Sequence, residues 1–267
     1  MQPSAPSAVN ASTTHLVLVP SFDSGPLLER TVRELVERWA PVWVVVDAST
    51  DGSEKPVETL AQALGPQRLR VLPRSENGGK GAAVLTGAHE ALAAGFTHAL
   101  VMDADHQHPA DRVADFMAAS QARPDTLVLG LPVFGPEAPA IRLQGRKLSV
   151  GLVHLETLGR AVGDPLFGFR VYPLRPLVDA MARTRHARRY DFDPEVAVRM
   201  VWAGVPTLNL PAACRYVPRT AGGISHFHYF RDNVRMVWLH SRLLVQFVLW
   251  RWYSAWRHRR RRSLSRS

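Results

Sequence analysis

The 267-residue chain has a single cysteine, Cys214. One thiol excludes an internal disulfide framework and fits a reducing compartment. A long uncharged apolar run is also missing. In the most apolar region, 228–257, the longest is Leu243 to Trp250, about eight residues against the ~20 that span a bilayer, which argues against a transmembrane helix. There is no Cys/His spacing of the zinc type and no nucleophilic Ser or Cys elbow. The run NGGKG at 77–81 lacks the second glycine block and the Ser/Thr after Lys that a P-loop requires, which excludes an ATPase of that kind. No secretory signal is visible. The first residues, MQPSAPSAVNAST, are polar, Pro/Ser-rich and uncharged, so 1–14 is expected to be a disordered leader.

Acid is absent from one stretch. Residues 251–267 hold seven arginines and no Asp or Glu. They carry most of the net charge of +10 and leave +3 on everything else. A nearly neutral body argues against a nucleic-acid binder. Ahead of the arginines, Trp238, Leu243, Phe247, Trp250 and Trp252 stand in a broadly apolar helical pattern with cationic interruptions. The spacing predicts an amphipathic helix over 228–257 that lies in the headgroup layer, with the basic tail 258–267 meeting anionic lipid at about 1 kcal/mol per basic residue. The alternative is a helix docked on the domain or on a second copy of it.

What remains, 15–227, has the periodicity of an α/β domain. Strands are expected at 15–20, 41–47, 69–72, 99–102 and 126–130. Helices are expected at 27–39, 57–64, 82–94, 140–158, 176–185 and 194–203. The alternation implies a mostly parallel central sheet flanked by helices, with ligands outside the carboxyl ends of the strands. Four strand ends carry polar clusters: Pro20-Ser21-Phe22-Asp23-Ser24, Asp47-Ala48-Ser49-Thr50-Asp51-Gly52, Asn77-Gly78-Gly79-Lys80-Gly81, and Asp103-Ala104-Asp105-His106-Gln107-His108. Asp47 would accept a nucleobase N–H or cap an Asx-turn. Gly78, Gly79 and Gly81 would let a ligand approach the backbone, with Lys80 on its phosphate. On an extended backbone Asp103 and Asp105 face the same way, and two converging carboxylates suit Mg²⁺ or Mn²⁺. Gln107 would add a neutral oxygen. The same alternation turns His106 and His108 away. A base-binding acid, a phosphate-side lysine and a cation pair at one sheet edge describe a nucleoside-diphosphate site.

The motifs resemble, in order over roughly 15–230, those of family 2 glycosyltransferases of the GT-A fold, most closely the dolichol- or polyprenyl-phosphate mannosyltransferase branch. LVPSFDS is similar to P-x-Y-N-E, with Phe22 for Tyr and Ser24 for Glu. VVVDASTDGS is similar to VVDDASxDGT, with Val46 for the first Asp. MDADHQHP nearly repeats M-D-A-D-x-Q-H-P. GDPLFGFRVYP resembles S-D-x-x-S-G-F-R-x-Y, and PRTAGGISHF more loosely R-x-x-G-E-S-K, with His226 in place of Lys. The resemblance implies a nucleotide-sugar site (Pro20, Phe22, Ser24, Asp47, Gly79, Lys80, Asp103) and a metal set of Asp103, Asp105 and Gln107. It further implies inverting transfer from a UDP- or GDP-sugar to a polyprenyl phosphate or lipid hydroxyl. Arg146, Arg170, Arg219 and His226 would hold the acceptor, with Arg170 also at the reacting centre. For a hydroxyl acceptor, Asp164 is the first candidate base and Asp193 the second. Such an enzyme would be cytoplasmic and peripheral on the cytoplasmic face of the membrane (the inner membrane if bacterial). Two rivals are weaker. A sugar-1-phosphate nucleotidylyltransferase wants G-x-G-x-R after the first strand, which LVPSFDSGP lacks. An inactive membrane-associated partner protein would not keep the acid pair, Gln107 and Lys80.

Overall fold

The computed structural model describes residues 9–135, 140–159, 161–215 and 234–249, and the side chains of these except 140–143. In chain order the elements are β1 (Asn10–Ala11), β2 (His15–Ser21), α1 (Pro26–Val36), β3 (Trp39–Ala40), β4 (Val42–Val46), α2 (Lys55–Leu64), β5 (Leu69–Pro73), α3 (Lys80–Ala93), β6 (His98–Val101), α4 (Val113–Ala122), β7 (Leu127–Phe134), α5 (Ala140–Glu156), β8 (Arg170–Pro173), α6 (Leu174–Ala182), α7 (Phe192–Trp202) and β9 (Thr207–Cys214). Residues 234–249 form a further helix, α8. The rest of the helix expected over 228–257, and the tail 258–267, lie outside the described residues. So do Arg219 and His226. Within the stretch read as a leader, β1 pairs in parallel with β3.

The main sheet runs β5-β4-β2-β6-β8-β7-β9. All its pairings are parallel except those of β8, which is antiparallel to both β6 and β7. The expected strand at 126–130 therefore does not follow β6 in the sheet: β8 lies between them. Because β8 runs the other way, its start meets the end of β6, with Arg170 opposite Val101. That brings the 164–169 loop to the edge where β2, β4, β5 and β6 end. Alternation sorts the core. Leu16 and Leu18 of β2 pack with α3, α6, α7 and α8, while Val17 and Val19 pack with α1, α2 and α4.

β2 does not stop at its proline. Leu18 accepts from Met102 N–H on the β6 side, and two residues on Pro20 faces that same side, where the pairing with β6 has ended at Leu18. The N–H that Pro20 lacks removes no ladder bond. Sequence periodicity misses α4 and β9. β9 carries Pro211, which is tolerated because β9 is the edge strand.

Candidate active site

The centre of the site is Lys80, the first residue of α3. Its Nζ lies 2.6 Å from Asp103 Oδ1 and 2.6 Å from Asp193 Oδ2. Burial alone lowers the pKa of the ammonium, but the two carboxylates outweigh it and raise it. The Asp103 carboxyl is likewise raised by burial and brought down, on balance below its ordinary value, chiefly by Lys80. Gly168 makes room for this contact: a Cβ there would fall well inside van der Waals distance of Lys80 Nζ and 3.1 Å from Asp103 Oδ2.

Asp103 and Asp105 do not reach this place by strand alternation. β6 ends at Val101, and 104–106 are a turn with His106 at φ 60°. The turn brings His108 back beside Asp103, against the expectation that it faces away. Asp103 N–H donates to His108 Nδ1 at 3.1 Å, and Nε2 lies 3.7 Å from Asp103 Oδ2. Because Nδ1 accepts, the proton of the neutral ring is on Nε2, toward the carboxylate. Burial keeps the ring neutral, its pKa lowered to about 4. Phe167 packs edge-on against it at 4.7 Å. Burial and the charge of Asp103 push the Asp105 carboxyl up to about 7. Gln107 N–H donates to Asp105 Oδ1 at 3.1 Å.

An acid whose charge is disfavoured by burial and by the acid beside it fits a divalent cation, which would relieve that repulsion. Among the described residues no group of three or more His, Cys, Asp or Glu is arranged to hold a metal. An ion held by Asp103 and Asp105 would therefore take its other oxygens from solvent and substrate phosphates, the usual habit of Mg²⁺.

The structure places several of the expected site residues against the protein itself. Asp47 is buried, and protein donors already fill its carboxylate: Arg74 Nη1 and Gly78 N–H on Oδ1, and Gly79 N–H at 2.6 Å on Oδ2. It clamps the 77–79 turn. Gly79 is not left open to a ligand. A Cβ there would lie 2.5 Å from Arg189 Cγ and 2.7 Å from Arg188 O, so the glycine admits the 188–189 segment of its own chain. Pro20 is buried inside β2. Arg170 is fully buried and holds no acceptor. Its guanidinium donates to Phe167 O (2.9 Å), Asp193 O (2.6 Å) and Pro165 O (2.6 Å), which fixes the 164–167 loop against the start of α7.

Of the two candidate bases, Asp164 is engaged. Its Oδ1 accepts from Arg146 Nη1 at 2.5 Å and from Leu166 N–H at 2.8 Å. Asp193 is not the N-cap of α7, which is Asp191. Its Oδ2 is bound to Lys80, while Oδ1 is buried without a hydrogen-bond partner. Phe22 and Ser24 are half-buried at the end of β2, where Ser24 Oγ meets Ser21 Oγ at 2.9 Å. The loop there is laced to the next strand end through Asp23 Oδ1 and Thr50 N–H, 2.6 Å apart. Sequence reasoning passed over Arg74, although a cation directly after a strand was visible. It set His108 aside on an alternation that had already ended.

The family model described as "Glycosyl transferase family 2" matches residues 16–177. The polyprenol monophosphomannose synthase of Mycolicibacterium smegmatis is 26% identical over 211 residues, which cover 77% of this chain and 79% of that protein. Among solved structures, glucosyl-3-phosphoglycerate synthase from Mycobacterium tuberculosis, in complex with Mn²⁺, uridine-diphosphate-glucose and glycerol 3-phosphate, superposes with a TM-score of 0.52 at 18% identity, over 79% of this chain and 75% of that one. S. aureus TarS 1–349 with UDP-GlcNAc gives 0.56 at 15% identity, over 87% and 66%. At these identities the structural likeness speaks for the fold.

Proposed function

The chain belongs to glycosyl transferase family 2, and from that premise we propose that it transfers a sugar from a nucleotide-diphosphate sugar to a lipid-linked acceptor, polyprenyl phosphate first, with Asp103 and Asp105 holding a divalent cation. The observation that carries the reading is the Asp103–Lys80–Asp193 bridge beside Asp105, at the edge where the parallel strands end. The relative named for polyprenol monophosphomannose synthesis supports the acceptor class.

A Mg²⁺ or Mn²⁺ ion at Asp103 and Asp105 would supply electrostatic stabilisation of charge developing on the leaving diphosphate. The chain's own part starts with Lys80. Its ammonium now neutralises Asp103, and it is a cation placed to meet an arriving diphosphate while Asp193 keeps its other side. A phosphate acceptor is already anionic and needs positioning more than deprotonation. Arg146, paired with Asp164 at 21% exposure, is the guanidinium suited to that contact. Arg170 acts beneath it by holding the loop.

A hydroxyl acceptor is the second reading. Asp193 favours it, because its Oδ1 has no partner and would accept a proton. Binding of UDP-glucose and GDP-mannose with and without Mn²⁺, followed by transfer of labelled sugar to polyprenyl phosphate and to diacylglycerol, separates the two readings and selects the nucleotide. Asp103→Asn and Asp105→Asn should abolish transfer and leave the fold intact. A folded Asp105→Asn protein with full activity in chelator would overturn the cation assignment.

A further inference from the structure

α8 is patterned the wrong way round for a helix on a water-facing surface. His240, Arg242 and Gln246 point at the domain, while Ser241 is exposed. His240 Nδ1 lies 2.9 Å from Glu156 Oε1 of α5, and Glu156 is fully buried. Arg242 closes on both oxygens of buried Glu195, whose Oε1 also takes Arg199 Nε at 2.7 Å. Gln246 Oε1 accepts from Arg199 Nη2 at 3.1 Å. Leu239 and Leu243 enter the core beside them. The outward face is apolar: Val234, Val237, Trp238, Val245, Val248 and Leu249 are 46–67% exposed. A solvated helix normally carries the opposite arrangement.

The helix joined to it continues the pattern. α5 lies on the same side of the sheet, with Val153 in the same core cluster as Leu239. Leu148 and Leu155 on its outer side are 68% and 56% exposed, and Leu158 just beyond it 61%. Two helices tied by a buried Glu–His contact thus present exposed apolar side chains on their outer sides, those of α5 standing beside Gln144 and Lys147, more than the scattered single side chains of an ordinary surface.

We infer that the outward faces of α5 and α8 form one surface that seats on an anionic lipid bilayer. Charge supports this occupant. The residues that follow α8 in sequence, 251–267, hold seven arginines and no acid, so an apolar face and a cationic segment are contiguous, the pairing that binds anionic headgroups. The inference deepens the proposed function, on which it rests for the acceptor. α5 carries Arg146, bound to Asp164 at the active site, so the helix that meets the lipid also bears the residue assigned to the acceptor phosphate. A lipid-linked acceptor would then reach the site along α5 with its chain still in the membrane. Among the described residues no helix is long and apolar enough to cross a membrane.

The test uses the full chain and the triple variant Val237→Ser, Val245→Ser, Val248→Ser, none of which touches the site. Both are sedimented with vesicles of phosphatidylcholine alone and of phosphatidylcholine with phosphatidylglycerol, at low and high salt. The full chain should partition onto the anionic vesicles in a salt-dependent way. The triple variant should bind about tenfold or more weakly, because three buried apolar contacts are lost, with its nucleotide-sugar affinity unchanged. Equal binding by the two proteins overturns the surface. So does a variant that changes only the oligomeric state, which would make the face a contact between copies. Transfer to a short-chain soluble acceptor separates this from failure of the proposed function. If it persists while vesicle binding is absent, only the surface is wrong. If vesicle binding holds and no acceptor is glycosylated, only the function is wrong.

Discussion

Replacing Lys80 with methionine probes the site at its centre. Methionine keeps the apolar stem and removes the ammonium that sits 2.6 Å from each of two carboxylates. Deleting one partner of a buried ion pair costs about 3–5 kcal/mol, because the remaining charge stays out of water. The Asp193 side chain is 9% exposed and feels the full effect. The Asp103 side chain is 30% exposed and partly hydrated. The loss should therefore fall near the lower bound, about 3 kcal/mol. A divalent cation changes the comparison. In the parent protein it must compete with the ammonium for Asp103, and in the variant that competitor is gone.

The assay is urea unfolding of both proteins in chelator and in Mn²⁺. A ligand at ~100 times its Kd stabilises by about 2.7 kcal/mol. The variant, binding Mn²⁺ more tightly, should gain more than the parent and recover part of its deficit. Its affinity for a nucleoside diphosphate should fall, since the cation facing the phosphates is lost. Equal stabilisation of the two proteins by Mn²⁺, or a nucleotide affinity that does not change, would refute the idea that Lys80 stands in for the metal's charge.

Gly168→Ala places a methyl against Lys80 Nζ. The lysine end can move, so the fold should survive while transfer drops roughly a hundredfold from misplacement of the cation; an active, normally folded Gly168→Ala would count against this geometry. Arg170→Met leaves the carbonyls of Phe167 and Pro165 without this donor and removes its bond to the Asp193 carbonyl in the first turn of α7. At about 1–3 kcal/mol for each of the two buried unsatisfied groups, a loss of at least ~2 kcal/mol is expected in denaturant unfolding. A purely acceptor-binding role would instead raise KM and leave stability alone. The Asp105 carboxyl is raised to about 7. Between the unfolded value near 4 and that value the native state holds more protons than the unfolded one, so in chelator this group makes stability fall as pH rises from about 4 to 7. Asp105→Asn should flatten that part of the profile, and an unchanged slope would show that another group is responsible.

The sheet edge was legible because strand periodicity and turn residues are local signals. β2, β4, β5 and β6 could be placed from runs such as Pro41-Val42-Trp43-Val44-Val45-Val46, and their polar ends followed. The insertion of β8 between β6 and β7 was not legible, since strand order is set by long-range pairing and Arg170-Val171-Tyr172-Pro173 reads alike in either direction. The partners of single side chains were not legible for a related reason. A residue type states which bonds it can make and leaves the partner open. Asp47 found its donors in Arg74 and the 78–79 backbone, and Arg170 found carbonyls in its own loop.

Lys80 is the instructive case. Sequence placed it on phosphate, and the fold holds it on two carboxylates. Both statements describe one requirement. A site that is to hold a diphosphate and a dication, as the proposed function requires, must keep several like charges together when neither is present, and an ammonium on a flexible stem can neutralise the acids first and turn to the phosphates afterwards. The buried, unpartnered Oδ1 of Asp193 and the raised carboxyl of Asp105 are what one lysine leaves unbalanced among the acids around it. Those residual imbalances, more than any single motif, mark where the substrate and cation of the proposed function would complete the structure.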